Sequence, residues 1–228
     1  MIFTGYIAVV LIGYLLGSIP FGILVSRRSA KIDVRQIGSG KTGMTNVLRV
    51  AGEKAAVLVL LLDMGKGALA VGFAWLIFSG DFVTVKYSGI WSPEAGAQAL
   101  AGLAAMVGHI WPIFIKFRGG RGVSTFFGGM AAIYLPVAVF GGLILFAVAG
   151  ISRYMSLGSI TGVVGASTLL ILLILSQGVI EIPGVPEVHI EYLIYTMISA
   201  IFIMVTHRDN IKRLVSGKER KLGKKTKK

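Results

Sequence analysis

Four short polar segments carry most of the side chains in this chain that suit anion chemistry. They read IGSGKTGMTNVLR at 37–49, KFRGGRGVST at 116–125, RYMSLGS at 153–159 and HRDNIKR at 207–213. Each combines cations with hydroxyls, amides or glycines. The first offers Ser39, Thr42, Thr45, Asn46 and Arg49 around two close glycines. In the second, Gly119, Gly120 and Gly122 permit a tight turn whose backbone N–H groups can converge on an anion. Arg121 adds a planar fork matched to paired oxygens. The apolar helix that follows from Val123 presents its N-terminus to the same place. The third segment places Arg153, Ser156 and Ser159 at a junction between two helices, with a serine N-cap as the structural alternative. The fourth ends an apolar run with His207, Arg208 and Asn210. The chemistry these residues share is recognition of phosphate oxygens.

The elements that position them are membrane helices. Of 228 residues, 55% are hydrophobic, and the mean hydropathy is +0.81. Several apolar runs reach the ~18–20 residues that cross a bilayer as a helix. The expected spans are 3–25, 55–79, 97–115, 123–136, 137–152, 158–179 and 190–206. The first lacks a basic leader and a small-residue cleavage site, so it reads as a retained span. Placing the loop 26–54 in the cytoplasm puts 22 of the 23 basic residues on that side, with Lys86 the exception. A net charge of +13 thus reads as positive-inside asymmetry and not as nucleic-acid binding. The expected fold is an all-α membrane protein of about seven transmembrane helices, N-terminus outside and C-terminus cytoplasmic. Residues 1–217 form one polytopic domain, and 218–228 form a basic cytoplasmic tail touching anionic lipid. The weakest part of this pattern is 123–152, where two short helices meet near Pro136.

Some chemistries are excluded. The chain has no cysteine, so thiolate nucleophiles and Cys-based metal sites are out. His109, His189 and His207 lie on scattered elements with few acids, and no metal or cofactor is expected. GSGKT at 38–42 imitates a nucleotide P-loop, but the leading glycine would fall at Arg35, and no strand precedes it. No nucleotide is expected. Asp63 and Lys66, spaced i, i+3 within the second span, can pair on one helix face. Intramembrane charges commonly line a polar cleft, with a purely structural pair as the alternative.

In order and spacing these segments resemble the bacterial acyl-phosphate:glycerol-3-phosphate acyltransferases of the PlsY type. The family pattern contains GSIPFG, GSGNxGATN, DxxKG, GHxxPxFxxFxGGKGVAT, RYxSLxS and HRxNIxRLxxGxE. This chain has GSIPFG at 17–22, GSGKTGMTN at 38–46, DMGKG at 63–67, GHIWPIFIKFRGGRGVST at 108–125, RYMSLGS at 153–159 and HRDNIKRLVSGKE at 207–219. Lys41 stands where the pattern has Asn, Arg121 where it has Lys, and Met44 and Ser124 where it has Ala. The cationic changes preserve anion binding, and Arg121 implies an electrostatic role because arginine does not donate protons near neutral pH.

The resemblance implies acyl transfer from acyl-phosphate to the 1-hydroxyl of glycerol 3-phosphate, giving lysophosphatidic acid and inorganic phosphate at the start of phospholipid synthesis. It implies a bacterial inner-membrane enzyme with a cytoplasm-facing site, without cofactor, for which a monomer is plausible. An acyl-phosphate is already activated, so no covalent intermediate is needed, and the H-x-x-x-x-D solution to acyl transfer is absent. The implied catalytic set is His207, Asn46, Arg121 and Ser156. The implied phosphate and substrate contacts are Ser39, Lys41, Thr45, Arg49, Lys66, Gly119, Gly120, Gly122, Thr125 and Asn210. His207 is either base or binder, and a substrate phosphate oxygen is the other acceptor for the proton. Competing readings are a transporter or flippase of a phosphorylated metabolite or lipid, and an inactive relative that binds acyl-phosphate.

Overall fold

The computed structural model describes residues 2–79, 91–177 and 188–223, and every regular element among them is helical. The helices are α1 (Ile2–Ser18), α2 (Phe21–Ala30), α3 (Met44–Ala51), α4 (Glu53–Ser79), α5 (Pro93–Ile110), α6 (Val123–Ile133), α7 (Leu135–Ser152), α8 (Met155–Ser176), α9 (Ile190–Thr206) and α10 (Arg208–Val215). Lys86, the acids at 81, 181 and 187, and residues 224–228 lie outside the described residues. In hydrocarbon every backbone N–H and C=O must be satisfied within the protein, which is why the apolar runs are helical.

Five helices are long and apolar enough to cross a membrane, counting Ile2–Ala30 as one, and α9 with α10 makes a sixth bent by 62°. The remaining apolar helix, α6, has 11 residues and rises only about 16 Å, roughly half a hydrocarbon core. Its break falls at Tyr134, whose backbone is extended at φ −152°, two residues earlier than Pro136. Proline lacks the N–H that would bond the Ala132 carbonyl four residues back in a continuous helix, and it is tolerated in a helix's first turn, where Pro136 sits in α7. The ring of Phe127 on α6 lies against Gly141 of α7. The chain therefore folds back at Tyr134 and does not continue as one long helix.

Small residues let the helices approach closely, as is common in membranes. Gly13 and Gly17 of α1 face the carbonyls of Ala101 and Ala105 on α5, where a Cβ would collide with backbone. Gly158 and Gly162 of α8 face Leu145 and Gly141 of α7 in the same way. The aromatic core is centred on Phe126, Met130 and Tyr195, all fully buried, with the Tyr195 hydroxyl donating to Phe126 O at 2.9 Å.

These contacts fix the direction of each helix. The start of α1 packs beside the end of α4, since Gly5 meets Phe78, and Tyr6 donates to Pro93 O at the start of α5. The ends of α1, α5, α7 and α9 and the starts of α4, α6 and α8 thus gather at the opposite end. All four polar segments lie there. Helix α3 and helix α10 are both short and amphipathic, and they roof that end.

Candidate functional site

The four segments enclose one open cavity of about 1110 Å³, mouth included. The first segment contributes a loop built around Asn46. A 3-10 turn at Val34–Gln36 is capped by Asp33, which pairs with Arg27 at 2.9 Å and Arg35 at 2.8 Å. The Arg35 hydrogen bonds hold the Asp33 carboxyl far below the ordinary carboxylate range. The chain then turns through Gly38 and Gly40, both at positive φ, conformations that glycine adopts without a steric cost. Asn46, buried on α3, donates from Nδ2 to the carbonyls of Val34, Ile37 and Lys41 at 2.8, 3.0 and 3.0 Å, and its Oδ1 accepts from Ser39 N at 3.1 Å. Asn46 thus shapes the loop from the cavity wall, which it helps to line. That arrangement leaves Ser39, Lys41, Thr45 and Arg49 on the cavity wall.

The second segment finishes α5 and then starts α6. Gly119 N and Gly120 N donate to Ile110 O and His109 O at 3.2 and 3.0 Å. A Cβ on Gly120 would collide with the His109 imidazole. These two glycines are therefore packing positions with engaged amides, contrary to the expected phosphate cradle. Gly122, at φ +87°, caps α6 and does line the cavity. Between them, Arg121 is fixed by its carbonyl, which accepts from Thr206 Oγ1 at 3.2 Å. Its Nε is buried and has no hydrogen-bond partner among the described residues. Thr125 is fully buried behind the wall, away from the cavity.

Lys66 is also away from the cavity. It is buried against Asp63 at 2.8 Å and donates to Ile19 O at 3.2 Å, where α1 ends. Asp63 also meets His109 Nδ1 at 3.4 Å. The intramembrane pair is thus a strut joining α4, α1 and α5, and only its His109 end reaches the cavity wall. Breaking it leaves a buried charge without a counterion, so the strut is a strong constraint on geometry.

The third and fourth segments meet over Glu219, which closes the motif at 207–219 inside the expected basic tail. Helix α8 starts at Met155 without a side-chain cap, so Ser156 is free to point elsewhere. Its hydroxyl donates to Glu219 Oε1 at 3.1 Å. Asn210 Nδ2 donates to the same oxygen at 2.7 Å, and Arg213 Nε to Glu219 Oε2 at 2.8 Å. Residues 218–223 are folded against the α7–α8 junction, with Leu222 N donating to Arg153 O at 2.7 Å. In the sequence Glu219 is marked both by closing the motif at 207–219 and as the only acid after Asp209, in a stretch otherwise rich in lysine and arginine.

The cavity is strongly electropositive. Burial lowers the pKa of Lys41 and of Arg49, with Arg121 and Arg220 respectively adding to the effect. Burial and then Arg213 bring Arg121 down to about 10, so it stays charged at neutral pH. His207 forms the bend between α9 and α10. Its Nδ1 lies 2.8 Å from Ile203 O; a carbonyl only accepts, so Nδ1 carries the hydrogen and Nε2 keeps its lone pair. Burial, reinforced by Arg121, lowers its pKa to about 4. Between its ordinary 6.5 and about 4, the unfolded chain binds a proton that the folded protein refuses. Stability is therefore full above 6.5 and is lost as pH falls toward 4. An imidazole NMR titration of the purified protein is expected to place the His207 midpoint near 4; a midpoint near the ordinary value would contradict this environment.

The opposite wall is apolar: Leu60 and Met64 of α4, Phe127 of α6, and Leu145 and Phe146 of α7. Phe146 is exposed on the outer surface of the bundle, so this wall runs from the polar pocket to the lipid-facing side. A cationic pocket continuous with a lipid-accessible apolar groove suits a ligand with an anionic head and an aliphatic chain.

Comparison with known proteins follows the same line. A model of the glycerol-3-phosphate acyltransferase family matches residues 7–217. Glycerol-3-phosphate acyltransferase 3 of Dehalococcoides mccartyi (strain CBDB1) is 54% identical over 225 residues, covering 99% of each chain. The glycerol-3-phosphate acyltransferase of Halalkalibacterium halodurans is 42% identical over 214 residues, 93% of each chain. Crystal structures of PlsY (YgiH), an integral membrane glycerol 3-phosphate acyltransferase, superpose with TM-scores of 0.78 for its glycerol 3-phosphate form and 0.77 for its lysophosphatidic acid form. Both are 32% identical; coverage is 96% of both chains for the first, and 96% of this chain and 95% of that one for the second. The fold and site thus define an all-helical integral membrane acyltransferase. The chain belongs to the glycerol-3-phosphate acyltransferase family.

Proposed function

We propose that this enzyme transfers the acyl group of an acyl-phosphate to the 1-hydroxyl of glycerol 3-phosphate, at a site facing the bacterial cytoplasm. The observation that carries the reading is the single cavity with a cationic pole and an apolar groove. Arg49, Arg121 and Lys41 hold phosphate oxygens, Ser39 and Thr45 add hydroxyl contacts, and the groove along Leu60, Met64, Phe127 and Phe146 takes the acyl chain. His207 Nε2 and Asn210 orient the acceptor. The hydroxyl oxygen attacks the acyl carbonyl, the bond from that carbon to the phosphate oxygen breaks, and the hydroxyl proton leaves with the phosphate. A phosphate with a second pKa of about 6 is a better acceptor for it than His207. His207 is accordingly a binding residue. Burial in a water-poor pocket strengthens every contact to the developing oxyanion.

The membrane orientation follows from the charges. With seven helical passes, of which α6 is a half-length one, the cavity end is cytoplasmic, and the N-terminus is outside. The described cations outside the helix interiors gather at the cavity end, which matches positive-inside asymmetry. A transporter would place its polar groups near the membrane midplane and connect them to both faces; the polarity here is one-ended.

The donor is tested with purified protein in lipid vesicles supplied with labelled glycerol 3-phosphate and either acyl-phosphate or an acyl thioester. Lysophosphatidic acid is expected from acyl-phosphate alone. Equal product from the thioester would refute the donor assignment. The groove has its own test. Gly142 lines the cavity, and a Cβ placed there meets nothing within 4 Å. Gly142→Leu is expected to slow turnover of long-chain donors about tenfold, as for a lost methylene-scale fit, while short-chain donors keep their rate. A uniform effect on all chain lengths would place the chain elsewhere.

A further inference from the structure

Between the end of α5 and the Arg121 turn the chain makes a hairpin, residues 111–118, none of which lines the cavity. Its base is closed by Gly119 N donating to Ile110 O and Gly120 N to His109 O, at 3.2 and 3.0 Å. Inside it, Phe117 N donates to Pro112 O at 2.9 Å, and the Tyr14 hydroxyl of α1 donates to Trp111 O at 3.0 Å. The backbone is thus held at several points, yet most of its side chains are left outside the bundle. Trp111, Ile113, Phe114 and Phe117 are 39%, 49%, 60% and 56% exposed, and Lys116 and Arg118 are exposed as well. Lys116 and Phe117 stand in succession at positive φ, 57° and 58°, a conformation that residues with a Cβ rarely adopt. Such backbone persists where the surroundings over-determine it and is concentrated at functional surfaces. Neither Lys116 nor Arg118 pairs with an acid among the described residues.

The depth of the hairpin decides what covers it. Helix α5 has 18 residues and rises about 27 Å, close to the ~30 Å of a hydrocarbon core. The hairpin therefore begins where the hydrocarbon ends, on the cavity side. In water alone, four large apolar side chains so close together would form the kind of patch that marks a contact surface. At the headgroup boundary, aromatic rings and the stems of Lys and Arg are at home. The two unpaired cations then discriminate between headgroups. A lipid with net negative charge neutralises them, and a zwitterionic one does not. We propose that the hairpin 111–118 is a binding site for anionic phospholipid, with Phe114 and Phe117 in the acyl layer and Lys116 and Arg118 on the headgroup phosphate. The bound lipid holds the polar end of the bundle at headgroup depth, beside the turn that carries Arg121.

Trp111 is a built-in reporter for this site. Its ring is fixed edge-on against Phe202 at 5.7 Å. The other two tryptophans, Trp75 and Trp91, are exposed, and replacing both with phenylalanine leaves a full-length protein with Trp111 alone. That protein is reconstituted into vesicles of equal parts phosphatidylglycerol and phosphatidylcholine, with bromine on the acyl chains of one lipid or of the other. Bromine quenches the indole on contact. Brominated phosphatidylglycerol is expected to quench Trp111 with an apparent affinity at least about fivefold above that of brominated phosphatidylcholine, the effect of one cation near an anionic surface. Lys116→Gln/Arg118→Gln is expected to bring the two lipids within about twofold of each other, with quenching by phosphatidylcholine unchanged. If that variant does not fold, as judged by thermal unfolding, Lys116→Gly carries the test. Glycine accepts the positive φ, and the preference for phosphatidylglycerol is expected to fall without being lost. Equal quenching by both lipids in the starting protein, or a preference that survives removal of the cations, would overturn the proposal. Absence of quenching by either lipid would overturn it too, since the surface would then face something other than lipid.

Discussion

Arg121→Ala is expected to lower kcat/KM for glycerol 3-phosphate by about 10²–10³-fold, the loss of some 3–4 kcal/mol typical of removing a preorganised donor from developing charge. The residue is set up for that role from both sides of the backbone. Gly120 is wedged on the His109 ring, Gly122 turns the chain into α6, and Thr206 holds the Arg121 carbonyl. The guanidinium is left charged, largely buried and unpartnered at Nε. A desolvated cation interacts with phosphate far more strongly than one in water. Arg121→Lys, which restores the residue of the family pattern, is expected to stay within about tenfold of wild type, because it keeps charge and loses only the fork. Initial rates at varied glycerol 3-phosphate check both. Normal kinetics in Arg121→Ala would mean that phosphate binds on another wall, and a dead Arg121→Lys would mean that bidentate geometry matters more than charge.

Asp63→Ala is expected to destabilise the protein by about 3–5 kcal/mol, the cost of leaving one member of a buried ion pair without its partner. Lys66 lies 2.8 Å from Asp63, its one acidic partner among the described residues, and also meets the carbonyl of Ile19 and the ring of Phe21. The strut also holds His109, on which Gly120 is packed, so the loss reaches the Arg121 turn and lowers activity in the folded fraction. Removing both charges in Asp63→Ala/Lys66→Met is expected to recover more than half of the stability, since an apolar replacement of the whole pair leaves nothing uncompensated. Denaturant unfolding in detergent micelles measures both variants. If the double variant is as unstable as the single one, the strut acts through shape and not through charge.

The helical membrane fold and the common end of the polar segments were legible because both rest on local signals. Apolar runs mark the spans, and charge asymmetry sorts the loops between two sides. Motif order named the family. The sequence is ambiguous where one residue type serves two purposes. Glycine at 119 and 120 suits an anion cradle and suits close packing equally well; the structure uses it for packing, against a histidine ten or more residues earlier. Asn46 has the side chain of a ligand and knits its own loop while lining the cavity, whereas Lys66 serves the strut. Pro136 correctly marked a break, yet the bend falls at Tyr134 because proline sits inside the first turn of α7, which puts the extended residue just before that turn. Glu219 closes the motif at 207–219, but what it touches is not legible there. A window of lysines and arginines averages to a basic tail, while the contacts that fold it inward reach 63 residues back to Ser156 and 69 back to Arg153. No local pattern encodes pairings over that distance.

The most direct test supplies purified, lipid-reconstituted protein with acyl-phosphate and labelled glycerol 3-phosphate, and counts both products together. One lysophosphatidic acid and one inorganic phosphate are expected for each acyl-phosphate consumed, with both yields falling in step in Arg121→Ala. Phosphate release without lysophosphatidic acid, or no product from protein that remains folded, would contradict the account.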